Sequence, residues 1–229
     1  MKDFVLLGGA QYSGKSYFCR ELVEGSKGRF VDLGLDNLYN ALRDDPAKFR
    51  ECMGLLPPEI KEPCWIRSND IDIKDLAIIT MSLGGQQLFT MFMQQLENAY
   101  LIDELSKAGG KVPVTESLFY NRETRENFYE GMKELVEMME QAGTAHYELG
   151  LDSARKILVY FDIGAEACTR RMKAAPRRGG EEDEEAAIMA VHSMQEIPTA
   201  GELPNLEVVV VKDESEVEKV LEQVRRVCA

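Results

Sequence analysis

Phe4-Val5-Leu6-Leu7-Gly8-Gly9-Ala10-Gln11-Tyr12-Ser13-Gly14-Lys15-Ser16 is an apolar run that breaks into a glycine-bounded loop ending on Lys15-Ser16. The eight residues from Gly9 fit the pattern G-x-x-x-x-G-K-[ST] without a mismatch, which chance produces in roughly one of 170 sequences of this length and composition. A buried strand enters the loop and a helix leaves it from Lys15 onward, the arrangement that anion binding requires. Successive loop N–H groups form a concavity for phosphate oxygens, and the helix N-terminus adds the positive end of its dipole. In such a loop the Lys15 position reaches the outer phosphates and the Ser16 position ligates Mg²⁺. The stretch reads as a nucleoside triphosphate site rather than an incidental glycine-rich turn. Its nucleotide-side residues are Gly9, Ala10, Gln11, Tyr12, Ser13, Gly14, Lys15 and Ser16. Cys19, one turn into the helix, joins them as a buried small residue rather than a redox sensor.

Four further runs share the character of Phe4–Leu7: Phe30–Leu33, Val112–Thr115, Ile157–Phe161 and Val208–Val211. Near-continuous apolar runs of this length are what parallel strands covered on both faces require. Helical periods separate them, over Lys15–Glu24, Asp72–Ser106 (interrupted at Gly84-Gly85), Glu123–Gln141, Ala165–Lys173, Glu181–Gln195 and Glu214–Val227. This alternation predicts one α/β domain over residues 1–229 with a mostly parallel sheet. An inserted segment is expected over about 44–106, its Asp44–Ser68 part rich in proline and turn residues. No internal repeat or low-complexity linker is present.

Of 229 residues, 45% are hydrophobic and 29% charged, which suits a globular chain able to bury a core without staples. The formal net charge of −13 argues against general binding of nucleic acid or anionic membrane, because phosphate contacts need a local excess of Lys and Arg. Five scattered cysteines and two histidines offer neither a disulfide framework nor a zinc site. Leu76–Met93 is too polar and too interrupted for a membrane span. With no signal-peptide pattern at Met1-Lys2-Asp3, a cytoplasmic, reduced protein is expected.

No N-K-x-D element of guanine specificity occurs, and the chain is short for a ring ATPase or motor. A phosphoryl-transfer enzyme on a small acceptor remains, which needs an acceptor base, a metal-side acid and a cationic arm. Asp36, just beyond the second strand, is the expected base, since strand carboxyl ends line the ligand crevice of a parallel sheet. Its structural alternative is the N-cap of a helix over Asn37–Arg43. Asp32 is the second candidate. Glu116 ends the third strand and is expected to hold Mg²⁺ with Ser16, and Asp162 is a lesser candidate. Arg170, Arg171, Lys173, Arg177 and Arg178 form the one dense basic cluster, followed by Gly179-Gly180. It is read as a lid over about 170–185. The alternative is a solvated face balanced by the acids of 181–185.

Together these elements resemble the P-loop kinase group that includes zeta toxins, chloramphenicol phosphotransferase and the kinase domain of polynucleotide kinase. Gly8–Ser16 looks like the group's G-x-P-G-S-G-K-[ST], with Gln11-Tyr12 where Pro-Gly is common. Glu116-Ser117-Leu118-Phe119-Tyr120-Asn121-Arg122-Glu123-Thr124-Arg125 looks like the D-x-x-F-[WY]-x-R-x-x-R block, with Glu in place of Asp. Glu196-Ile197-Pro198-Thr199-Ala200-Gly201-Glu202 is similar to an E-x-P-x-x-x-E stretch of some members. The resemblance implies a P-loop NTPase fold with a five-stranded doubly wound sheet, helices on both faces and an arginine-bearing lid. It implies ATP and Mg²⁺ as cofactors and a hydroxyl-bearing small molecule as acceptor. It also implies Lys15, Asp36, Arg171 and Arg177 (or Arg178) as catalytic residues, with Arg171 also on the nucleotide side. Arg122 and Arg125 line the substrate side with Asp36.

Two other readings remain open: a nucleotide-gated binding module without transfer, and a kinase for a nucleic-acid end, which the acidity disfavours. The oligomeric state is open too. His146 and His192 read as surface or helix-packing residues, and Met81, Met91 and Met93 as core on a long helix. Trp65 reads as either an acceptor cover or a packing anchor.

Overall fold

A computed structural model describes residues 3–144, 149–175 and 181–228. Met1, Lys2, His146 and the expected lid positions Arg177, Arg178, Gly179 and Gly180 lie outside them. The described residues hold five strands: β1 (Asp3–Gly9), β2 (Phe30–Asp32), β3 (Val112–Glu116), β4 (Arg155–Phe161) and β5 (Leu206–Val211). They pair in the order β2-β3-β1-β4-β5, every pair parallel. The fold is therefore α/β with a five-stranded parallel sheet. All seven residues of β1 are buried, which is why its apolar residues run without alternation.

Nine α-helices are described: α1 (Lys15–Glu24), α2 (Leu35–Asp44), α3 (Pro46–Leu55), α4 (Pro58–Lys61), α5 (Ile73–Lys107), α6 (Arg122–Gln141), α7 (Ala165–Ala174), α8 (Glu181–Ser193) and α9 (Val217–Val227). Alternate strand residues Val5, Leu7, Val114, Val159 and Phe161 share one core with Phe18 and Leu22 of α1, Met172 of α7, Ile188 of α8 and Leu221 of α9. The opposite face buries Leu6, Leu158 and Tyr160. Beside it, Lys156 of β4 is 1% exposed, and its ammonium donates to the carbonyls of Leu151, Ala154 and Pro204 at 2.6, 3.0 and 2.8 Å. Three acceptors match its three N–H donors, the condition for burying a lysine charge.

The chain divides into two compact units. One carries the sheet and comprises Met1–Gly34, Ala108–Tyr129 and Gly150–Ala229; the other comprises Leu35–Lys107 and Glu130–Leu149. The segment expected as an insertion over about 44–106 is thus part of a wider helical unit. Its proline-rich portion forms α3, α4 and a 3₁₀ turn at Glu62–Cys64 instead of open turns. Proline starts these elements rather than breaking them: Pro46 follows the N-cap Asp45, whose Oδ1 accepts from the N–H groups of Ala47 and Lys48 at 2.9 and 3.1 Å.

Gly85 interrupts α5 with φ 69° and ψ −161°, a backbone region essentially reserved for glycine. The methionine expectation is corrected in part: Met93 is buried, but Met81 and Met91 face solvent. Trp65 is exposed as well, in the left-handed region at φ 55°, so it anchors no core. His192 packs as expected, with ring nitrogens 2.8 Å from the carbonyls of Ile188 and Ile163.

Candidate functional site

β1 delivers the chain into the loop at Gly9, where φ is +130° and an added Cβ would come 2.6 Å from the Phe161 carbonyl oxygen. Only glycine fits so close to β4. Gly14, at φ 110°, is the N-cap of α1, and no side chain caps that helix start. Unfilled N–H groups there suit an anion better than a side chain that would compete for them. Lys15 folds back across the loop, its ammonium donating to the carbonyls of Gly9 and Ala10 at 2.9 and 2.7 Å. Ser13 is 2% exposed, and its buried hydroxyl has no hydrogen-bond partner among the described residues. An orphaned buried hydroxyl in a loop of this shape fits an absent phosphate oxygen.

Tyr12 sits in the left-handed region at φ 59° and is held at both ends. Its hydroxyl donates to Glu184 of α8 at 2.6 Å, and its carbonyl accepts from the Arg171 guanidinium at 2.7 Å. Arg171 also pairs with Glu214. Its observed position, in the last turn of α7, braces the loop rather than reaching out on an arm. Lys173 and Glu185 pair at 3.1 Å, so part of the basic cluster is balanced by the acids that follow it.

On the other side of the loop, the Ser16 hydroxyl donates to the Glu116 carboxylate, at 3.2 Å from Oε1 and 3.1 Å from Oε2. β1 and β3 are adjacent strands, so helix start and strand end meet directly. Asp32 ends β2 next door, with Oδ1 accepting from the Gly34 N–H at 2.9 Å. A Cβ on Gly34 would come 3.2 Å from both Asp32 and Glu116, so glycine lets the two acids approach. Cys19 is 1% exposed beneath them. Burial first, and then the charges of Asp32 and Glu116, push its thiol far up, so it stays protonated and is no nucleophile. No group of three or more His, Cys, Asp or Glu able to hold a metal occurs among the described residues. Mg²⁺ does not need one, since it is held through one or two carboxylates plus substrate phosphates. An exposed hydroxyl and a half-buried carboxylate at 3.1 Å fit that donor set.

Asp36 belongs to the helical unit. It is a first-turn residue of α2, which begins at Leu35, and so is not the N-cap of that helix. Its carboxylate lies near Glu97 of α5, whose carboxyl is pushed up to about 7 by burial and then by the Asp36 charge. Asp162 is half-buried just beyond β4, its N–H donating to the Val211 carbonyl at 2.9 Å.

Arg125, expected on the substrate side, lies buried at the start of α6. It is 2% exposed: its Nε donates to Glu202 at 2.7 Å, its Nη1 donates to the carbonyls of Phe119 and Glu196 at 3.0 and 3.1 Å, and its buried Nη2 has no hydrogen-bond partner among the described residues. Arg122 stays exposed, paired with Glu126 at 2.6 Å, while its backbone N–H donates to Glu196 at 2.9 Å. The two acidic ends of the Glu196–Glu202 stretch are thus explained: they clasp the start of α6. Sequence reasoning placed these blocks in one family pattern without seeing that they bind each other. It also passed over Ser13 as more than a loop member, and passed over Glu184 and Glu97.

Beside the loop lies a cavity of about 430 Å³. Ser13 and Gly14 form its loop end, Tyr17, Ile163 and Val217 its apolar walls, and Arg171, Glu214 and Glu218 its polar side.

No family model matches the chain, and no curated protein matches it in sequence. Among solved structures, a candidate kinase from Chloroflexus aurantiacus j-10-fl matches with a TM-score of 0.52 at 12% identity, over 98% of this chain and 97% of that one. An unliganded sugar kinase from Janibacter sp. HTCC2649 matches with a TM-score of 0.42 at 14% identity, over 98% of this chain and 92% of that one. The first likeness is one of fold, over two chains of nearly equal length.

Proposed function

We propose that the chain is a phosphotransferase of the zeta toxin-like P-loop kinase group, moving the γ-phosphoryl of ATP to a hydroxyl of a small-molecule acceptor. The observation that carries this reading is the loop from Gly9 to Ser16. It holds an uncapped helix start, an orphaned Ser13 hydroxyl and a Ser16–Glu116 contact together at the carboxyl ends of adjacent parallel strands. Phosphate oxygens would take the loop N–H groups and the Ser13 hydroxyl, and Lys15 would exchange its carbonyl partners for the outer phosphates. Ser16 and Glu116 would hold Mg²⁺, which neutralises charge building on the transferring group. Arg171, fixed on the Tyr12 carbonyl and paired with Glu214, stiffens the loop. Asp36 orients the acceptor hydroxyl and takes its proton as the new O–P bond forms and the bond to the ADP leaving group breaks. The name of the first structural neighbour, a candidate kinase, agrees with phosphoryl transfer.

The test is transfer of label from γ-labelled Mg·ATP into a fractionated metabolite pool by wild type, Lys15→Ala and Asp36→Asn. A labelled small molecule formed by wild type and lost in both variants is expected. Nucleotide binding without any labelled product, from metabolites or oligonucleotides, would replace the kinase by a nucleotide-gated binding protein.

A further inference from the structure

The cavity beside the phosphate loop has the size of a ligand site, about 430 Å³. Ser13, whose buried hydroxyl lacks a partner among the described residues, opens onto it from the phosphate end. Its apolar walls, Tyr17, Ile163 and Val217, suit the faces of a planar base. Of its charged groups, Arg171 and Glu214 neutralise each other. Glu218 is different. It is exposed at the cavity in the first turn of α9, and it has no ion pair or hydrogen bond among the described residues.

An open carboxylate next to a bound triphosphate weakens binding by like-charge repulsion unless the ligand brings it hydrogen-bond donors. A nucleoside offers such donors on the ribose, whose adjacent hydroxyls match the two oxygens of one carboxylate, as they do for the acid of dinucleotide-binding sites. Polarity orients the nucleoside the same way: the base belongs against the apolar walls and the ribose at the solvated rim, where Glu218 stands.

We infer that Glu218 is the ribose-recognising residue of the phosphate-donor site, its carboxylate accepting from the 2′- and 3′-hydroxyls of the nucleoside seated in this cavity. The inference rests on the reading of the loop as a triphosphate site. It is a specificity role, separate from the transfer step.

Equilibrium titration with Mg²⁺ present, using ATP, 2′-deoxy-ATP, GTP and 2′-deoxy-GTP against wild type and Glu218→Ala, tests it. Wild type should prefer the ribonucleotide by about tenfold, the value of a hydrogen bond to a charged group, and the variant should bind both forms alike. Equal binding of ribo and deoxy forms by wild type, or a preference that survives in Glu218→Ala, overturns the role of Glu218 and leaves the triphosphate site standing. Failure of wild type to bind ATP or GTP at all overturns the triphosphate reading, and this inference with it.

Discussion

Ser13 keeps a buried hydroxyl that no described residue satisfies, so its contribution to folding and to binding should have opposite signs. Removing an unpaired polar atom is neutral or stabilising, whereas losing a donor to phosphate weakens binding. Ser13→Ala should therefore melt at the same or a higher temperature without ligand, yet bind Mg·ATP about tenfold more weakly. Calorimetry and titration on one preparation check both halves. Glu97 makes a pH prediction. Its carboxyl, raised by burial and by Asp36 from the ordinary 4.5 to about 7, holds its proton more tightly folded than unfolded. The stability it contributes is complete below pH 4.5 and is lost as pH rises to about 7. Melting temperatures of Glu97→Gln should lack that decline, and a decline identical to wild type would refute it. The loop position of Lys15 and the approach of Ser16 to Glu116 were legible in the sequence, because the loop is a contiguous motif and Glu116 ends an apolar run. Arg125 was not. A buried arginine is recognisable only from its acceptors, and Glu202 lies 77 residues away.

At the level of elements, apolar runs located all five strands, and the loop pattern located the start of α1. The proline-rich stretch misled because proline at the first helical position and proline in a turn look alike without the backbone. The Gly84-Gly85 break in α5 was visible, and Gly85 carries it. A Cβ there would meet nothing within 4 Å, so the cost of Gly85→Ala is that of the backbone alone, about 2 kcal/mol. Urea unfolding should show a lower midpoint at unchanged slope. The clasp of α6 by the Glu196–Glu202 stretch predicts an acid limb. Burial alone would raise the Glu202 carboxyl, but Arg125 and the Thr199 N–H hold it below its ordinary value. Its stabilisation is present above that ordinary value and disappears as pH falls through the lowered one. Glu202→Gln leaves the Arg125 charge buried without its partner, which should cost about 3 kcal/mol near neutral pH and flatten the acid limb.

Over the whole molecule, the net charge of −13 sets a self-repulsion that salt screens. The melting temperature should rise between about 10 mM and about 200 mM NaCl; a fall would mean that attractive pairs, such as Arg155 with Asp3, dominate. The parallel α/β class followed from the strand–helix alternation, because a parallel sheet needs crossovers and buried faces. Division into a sheet unit and a helical unit did not follow, since both are equally apolar and no linker composition marks Gly34 or Ala108. What joins these scales is the claim that β1, the loop and α1 form a triphosphate site. Calorimetric titration of Mg·ATP into wild type and Lys15→Ala tests it most directly. Binding at one site per chain, weakened about a hundredfold in the variant, is the result expected for loss of the phosphate-facing ammonium. Absence of binding by wild type, or equal binding by both proteins, would contradict it.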